Sequence, residues 1–265
     1  MGQGEGAGVA HASLPLARAR ALILGTLLLL AATAWGVLAW QSSVTGMDEV
    51  ENMLTMDVGV PVFLAIWVAM MVAMMFPTAA PMILTFAHVQ QRKQRSGKPF
   101  VPTWVFVSSY LAIWTAFGAL AYAAALGATD LADSSMWVMD NAARIGGGVL
   151  ILAGLYQLSP LKNICLSKCR APLAFVLTSW RDGYRGAFRM GLEHGLYCLG
   201  CCWLFFVIVF PLGMLNLAVL AAIVLIIFAE KSLPFGQLAR QFAAAALLAY
   251  GTLVLFVPDA LPTAM

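Results

Sequence analysis

The sequence predicts an all-α, polytopic transmembrane helix bundle of about seven spans. Three observations carry that prediction: the composition, the long uncharged apolar runs, and the sidedness of the charges. Of 265 residues, 62% are hydrophobic and 10% charged, whereas a soluble domain carries about 25% charged residues. This balance excludes a disordered tail, and a disulfide-stapled secreted scaffold would be shorter and richer in cysteine. Each helical crossing needs about 20 apolar residues, so the chain has room for about seven with short connections.

The apolar runs fall at residues 21–40, 58–88, 103–126, 145–158, 191–212, 215–229 and 242–257. Arg18 and Arg20 precede the first run, as in a secretion signal. That run is longer than a signal core, however, and ends at Trp40 without a small-residue cleavage site, so it reads as a retained helix. The second carries Pro77 and Pro81, whose missing backbone donors free carbonyls one turn earlier. In transporters, such broken segments line substrate cavities. The fourth and sixth are short, and the fourth is expected to extend back through residues 136–143. Residues 19–265 read as one transmembrane domain, and residues 1–18 as a disordered, Gly/Ala-rich cytoplasmic tail in which His11 carries no weight.

With the N-terminus cytoplasmic and the C-terminus extracytoplasmic, every basic residue except Arg144 falls on inside loops, while Asp48, Glu49, Glu51, Asp57, Asp130, Asp133, Asp140 and Asp259 fall outside. This obeys the positive-inside rule and predicts an inner-membrane, multi-pass protein. It also accounts for the Lys/Arg clusters without nucleic acid. Asp140, one turn before Arg144, is its expected partner.

The five cysteines are grouped. Cys165 and Cys169 form CxxxC; Cys198, Cys201 and Cys202 form CxxCC. On the reducing cytoplasmic side, such groups point to free thiols, metal ligands or redox chemistry. His194, Cys198, Cys201 and Cys202 stand at i, i+4, i+7 and i+8 and so share one helical face. Thiolates with an imidazole suit Cu(I), Zn(II) or another thiophilic ion.

The second span adds Trp67, Met70, Met71, Met74, Thr78, Pro81 and Met82 as a stripe, with Met75 completing the paired MMxxMM pattern. Thioethers bind Cu(I) without burying charge, although methionine also packs ordinary cores. Met47, Met53 and Met56, among the acids of the first outside loop, could gather a cation, and Met214 and Asn216 are further outer candidates. Glu193 is expected to pair with Arg189, and Glu230 with Lys231 at the inner end of the sixth span. Gly146, Gly147, Gly148, Gly191 and Gly195 read as close-packing positions.

Three segments, WVAMMVAMMFPTAAP (67–81), YQLSPLKNICLSKCRAP (156–172) and GLEHGLYCLGCCW (191–203), together with the stretch from 213–216 to 230–231, resemble a bacterial membrane family catalogued as domain of unknown function 2182. That family is described as a predicted metal-binding integral membrane protein, and the resemblance implies a helical membrane protein with copper as the suspected ligand.

Two functions compete. One is Cu(I) handling, by transport or by delivery to a partner metalloenzyme, metallochaperone or larger membrane complex. Weak thioether donors would lie toward the outside and strong thiolates toward the inside. The other is a redox protein or an accessory subunit. Haem ligation by His88 and His194 is the poorer form of that alternative, and nothing marks the chain as an enzyme. Neither a GxxxxGK[ST] loop nor an Asp-Lys-Thr-Gly sequence is present to drive pumping.

Overall fold

All seven predicted stretches coincide with helices. The computed structural model describes residues 16–44 and 59–262. The expected N-terminal tail and the Met-rich outer loop (Met47, Met53, Met56) lie outside the described residues. The helices are α1 (Leu16–Val44), α2 (Val60–Arg95), α3 (Thr103–Ser134), α4 (Met136–Asp140), α5 (Ala142–Leu158), α6 (Pro160–Arg170), α7 (Pro172–Thr178), α8 (Gly183–Val207), α9 (Val209–Leu212), α10 (Leu217–Ser232) and α11 (Gly236–Phe256). A 3₁₀ turn, Pro258–Ala260, follows, and the described residues contain no strand.

Among the described residues, five helical stretches are long and apolar enough to cross a membrane, α1, α2, α3, α8 with α9, and α11, and α5 with α6 makes a sixth if that bent pair is one span. The fourth and sixth predicted spans depart from expectation. Instead of extending back unbroken to 136, α5 is separated from α4 at Asn141, which turns back onto the carbonyl of Trp137. At its other end, α5 joins α6 through a bend of 63°. The bend has a local cause. Ser159 is extended (φ −67°, ψ 147°), Pro160 opens α6 without needing a backbone donor, and Ser159 Oγ accepts from the Lys162 amide at 3.1 Å. At 16 residues, α10 reaches about 24 Å, short of a hydrocarbon core of about 30 Å.

The prolines of α2 do not break it. The helix continues through Pro77 and Pro81, and Thr78 and Thr85 hydroxyls bond back to Met75 and Pro81 carbonyls at 3.1 and 2.7 Å. The expected broken segment is therefore a continuous helix with its methionine face buried. Its basic last turn (Arg92, Lys93, Arg95) suits the helix dipole.

Packing pairs α5 with α11, α1 with α2, α3 with α8, and α6 with α8, while α2 touches α3, α7 and α10. The glycine expectation holds at four of its five positions. A Cβ on Gly147 would meet the Gly251 carbonyl at 3.0 Å, and one on Gly146 would meet Pro211 and Leu261 at 3.1 Å. Gly191 and Gly195 seat α8 on the Phe106–Ile113 stretch of α3, whereas Gly148 faces open space. Arg144 donates to Asn141 Oδ1 at 3.0 Å instead of pairing with Asp140.

Near the start of α8, Lys93 bonds to Asp182 and lies 4.9 Å over the Trp180 ring, whose indole N–H donates to the same carboxylate at 3.0 Å. The Lys93 hydrogen bond, and after it that of Trp180, hold the Asp182 carboxyl below the ordinary carboxylate range. A depressed native pKa contributes stability above the unfolded value, lost as pH falls through the native one. Asp182 is 75% exposed, so solvent screens that contribution. The clamp is expected to be complete at neutral pH and to open only in acid. Asp182→Asn should open it at neutral pH, read as several-fold faster tryptic cleavage after the exposed Arg181; an unchanged rate would refute it.

Candidate metal centre

Two helices bring the cysteine groups together. In α8, Cys198, Cys201 and Cys202 sit one turn apart on a face that is wholly buried. In α6, the bend at Ser159 swings Cys165 and Cys169 against that face, and Gly200 leaves room for the Cys165 sulfur beside it. The sulfurs of Cys169, Cys198 and Cys201 all lie within 4.8 Å of one another. Cys169 Sγ is 3.9 Å from Cys201 Sγ, which is itself 3.3 Å from Cys202 Sγ. Three thiolates at about 2.3 Å from one ion lie about 4 Å apart, so the triad has the spacing of a trigonal sulfur site. All five cysteines are free, with Cys169 half-buried at the rim.

The sulfur of Cys198 has two polar neighbours. Tyr110 Oη of α3 lies 3.1 Å away, and Lys231 Nζ of α10 donates to it at 3.1 Å. Cys201 donates to the Cys198 carbonyl at 3.1 Å. The expected Glu230–Lys231 pair therefore does not form. Glu230 instead meets Lys162 of α6 at 2.7 Å, with both side chains 1% exposed. Lys162 also bonds to Gln157 and lies 4.6 Å over the Phe205 ring.

His194 is buried one turn before Cys198 but outside the triad. Phe106, Tyr110 and Phe175 surround it with ring centroids 5.4–5.9 Å away, and both its nitrogens lack hydrogen-bond partners. A buried, unpaired neutral imidazole at this position leaves its one lone-pair nitrogen free for a cation. His88 is exposed on α2, so the two histidines do not share an environment. Met70, Met71, Met74 and Met75 are fully enclosed in the core, while Pro81 of the expected stripe is exposed. These four methionines form a thioether-rich stretch of α2 within the same core as the cysteines of α8. Met214 is buried, and Asn216 caps α10 by accepting from the Val219 amide at 3.2 Å. Glu193 accepts from Ser179 Oγ at 3.1 Å in place of the expected Arg189 pairing.

Sequence reasoning missed Tyr110, Lys162, Gln157 and the sulfur contact of Lys231. A signal existed for Lys231, since an ionisable residue inside an apolar helix marks a function by default. Tyr110 and Lys162 offered none, because their partners are distant in sequence.

A family model described as PpoB2, copper chaperone, matches residues 64–254. Neither the curated proteins nor the solved structures compared with the chain give a match.

Proposed function

The chain belongs to the PpoB2 copper chaperone family, and from that premise we propose that it is a membrane-embedded carrier that holds Cu(I) at Cys169, Cys198 and Cys201 and delivers it to a partner metalloenzyme. The observation that carries this reading is the meeting of the Cys169 sulfur of α6 with those of Cys198 and Cys201 of α8 within 4.8 Å. Copper here is cargo. Soft thiolates hold Cu(I) tightly and select it over hard cations, while apolar packing around the triad keeps water from competing.

Delivery requires release, and the geometry favours it on one side. Two ligands sit deep in α8; the third, Cys169, is half-buried on the shorter α6. An incoming thiolate of the partner would replace Cys169 first, passing the ion on by ligand exchange. Cys202 and Cys165 lie beside the triad as relay thiols. His194 and the thioethers of Met70, Met71, Met74 and Met75 would form the weaker approach through the bundle. The five long apolar helices support a membrane setting; an inner-membrane place with the sulfur site toward the cytoplasm rests on the charge sidedness of the seven-span sequence reading.

The test is copper content. Wild-type protein purified from copper-supplied cells should carry copper, and the Cys198→Ser/Cys201→Ser double variant should lose nearly all of it at unchanged helix content by circular dichroism. Wild-type copper in the double variant would defeat the assignment.

A further inference from the structure

We infer that Lys231 is a positioning residue for the copper centre, its ammonium supplying the positive charge that lets three anionic sulfurs gather on one monovalent ion. This rests on the copper-carrier reading above and adds what fixes the ligand number.

The observations concern charge and place. The charged residues of the otherwise largely apolar helix α10 are Glu230 and Lys231 near its end, and both are buried, at 1% and 8% exposure. Glu230 is occupied by Lys162 at 2.7 Å, which leaves the Lys231 ammonium without a carboxylate. A buried cation needs a negative partner, and Lys231 Nζ donates to Cys198 Sγ at 3.1 Å. The Tyr110 hydroxyl lies at 3.1 Å from the same sulfur. Two donor-bearing groups from two other helices therefore converge on Cys198, a member of the sulfur triad.

Charge balance gives that convergence a purpose. Two thiolates on Cu(I) leave one negative charge; three leave two. In an apolar interior the second negative charge is costly. With Lys231 in place, the three-thiolate centre carries the same net charge as the two-thiolate centre would carry alone. Sulfur retains lone pairs for the N–H···S bond after binding a metal, so Lys231 need not leave when copper arrives.

Four forms test this, each loaded with Cu(I) in detergent: wild type, Lys231→Met, Lys231→Gln and Lys231→Arg. The measurements are affinity, by competition with a Cu(I)-specific chelator, and sulfur coordination number, by X-ray absorption. Loss of an outer partner costs about 10–100-fold in metal affinity. Lys231→Met and Lys231→Gln should weaken binding by that factor and drop the centre from three sulfurs to two, while Lys231→Arg stays near wild type. Lys231→Gln keeps a hydrogen-bond donor without the charge, and it carries the test if Lys231→Met does not assemble. Three sulfurs at wild-type affinity in Lys231→Gln would overturn the inference while leaving the carrier reading intact. A wild-type protein that binds no Cu(I) would overturn both.

Discussion

Lys162→Met should be among the most destabilising single substitutions in this chain, at about 3–5 kcal/mol, because it strands one half of a buried ion pair. Lys162 and Glu230 meet at 2.7 Å with each side chain 1% exposed. Neither can turn to solvent when its partner is lost. The two halves are not equivalent. Without Lys162, Glu230 still has the Lys231 cation as its neighbour in the chain. Without Glu230, two buried ammoniums remain, on Lys162 and Lys231, with no carboxylate between them. Glu230→Met should therefore be the worse of the two. The double variant Lys162→Met/Glu230→Met removes both charges and should recover most of the loss, since apolar replacement of a whole buried pair is often neutral. Thermal inactivation midpoints in detergent rank the four proteins. Additive losses in the double variant would show that the pair is not coupled. Copper content gives a second readout. Lys162 ties α6 to α10, and α6 carries Cys169, so single variants should bind copper more weakly than the double.

That pair also shows where the sequence stops being informative. The helices were legible because apolar runs and proline punctuation are local, and each run coincides with a helix. The shared face of His194, Cys198, Cys201 and Cys202 was legible for the same reason: it follows from residues per turn alone. Partner choice was not. Glu230 and Lys231 are adjacent in the chain and were read as a pair, yet neighbours in a helix point about 100° apart. One therefore reaches Lys162 and the other reaches Cys198, 33 residues away. Tyr110 meets Cys198 across 88 residues, a contact that only the seating of α3 on α8 creates. Pro77 and Pro81 misled in the opposite direction. A proline removes one donor, but a helix enclosed by its neighbours continues through it. The bend that matters lies at Ser159–Pro160, where a cap and a proline coincide.

Gly191→Leu should separate α3 from α8 and undo the sulfur site from a distance. A Cβ at Gly191 would overlap Ser109 Oγ and lie against the Phe106 carbonyl, and one at Gly195 would lie 2.9 Å from Ile113 Cγ1 and 3.3 Å from the Tyr110 carbonyl. Much of this opposing surface is backbone, which cannot rotate away. Gly191 and Gly195 thus form a small-xxx-small contact of the kind that lets membrane helices approach closely. Overpacking such a seam costs about 1–3 kcal/mol and occasionally more; contact with a main-chain carbonyl places Gly191→Leu at or beyond the upper end. The functional consequence follows from the hydroxyl that α3 delivers. Once α3 moves out, Tyr110 Oη can no longer lie 3.1 Å from Cys198 Sγ, and the His194 ring loses two of its three aromatic walls, Phe106 and Tyr110. Gly148 provides the control, because a Cβ there meets nothing within 4 Å. Gly148→Ala should be neutral or stabilising by about 0.5–1 kcal/mol, the helical preference for alanine over glycine. Gly191→Leu should lower the inactivation midpoint while Gly148→Ala leaves it unchanged or raises it, and only Gly191→Leu should reduce copper content. Equal behaviour of the two variants would mean that the α3–α8 seam does not hold the centre together.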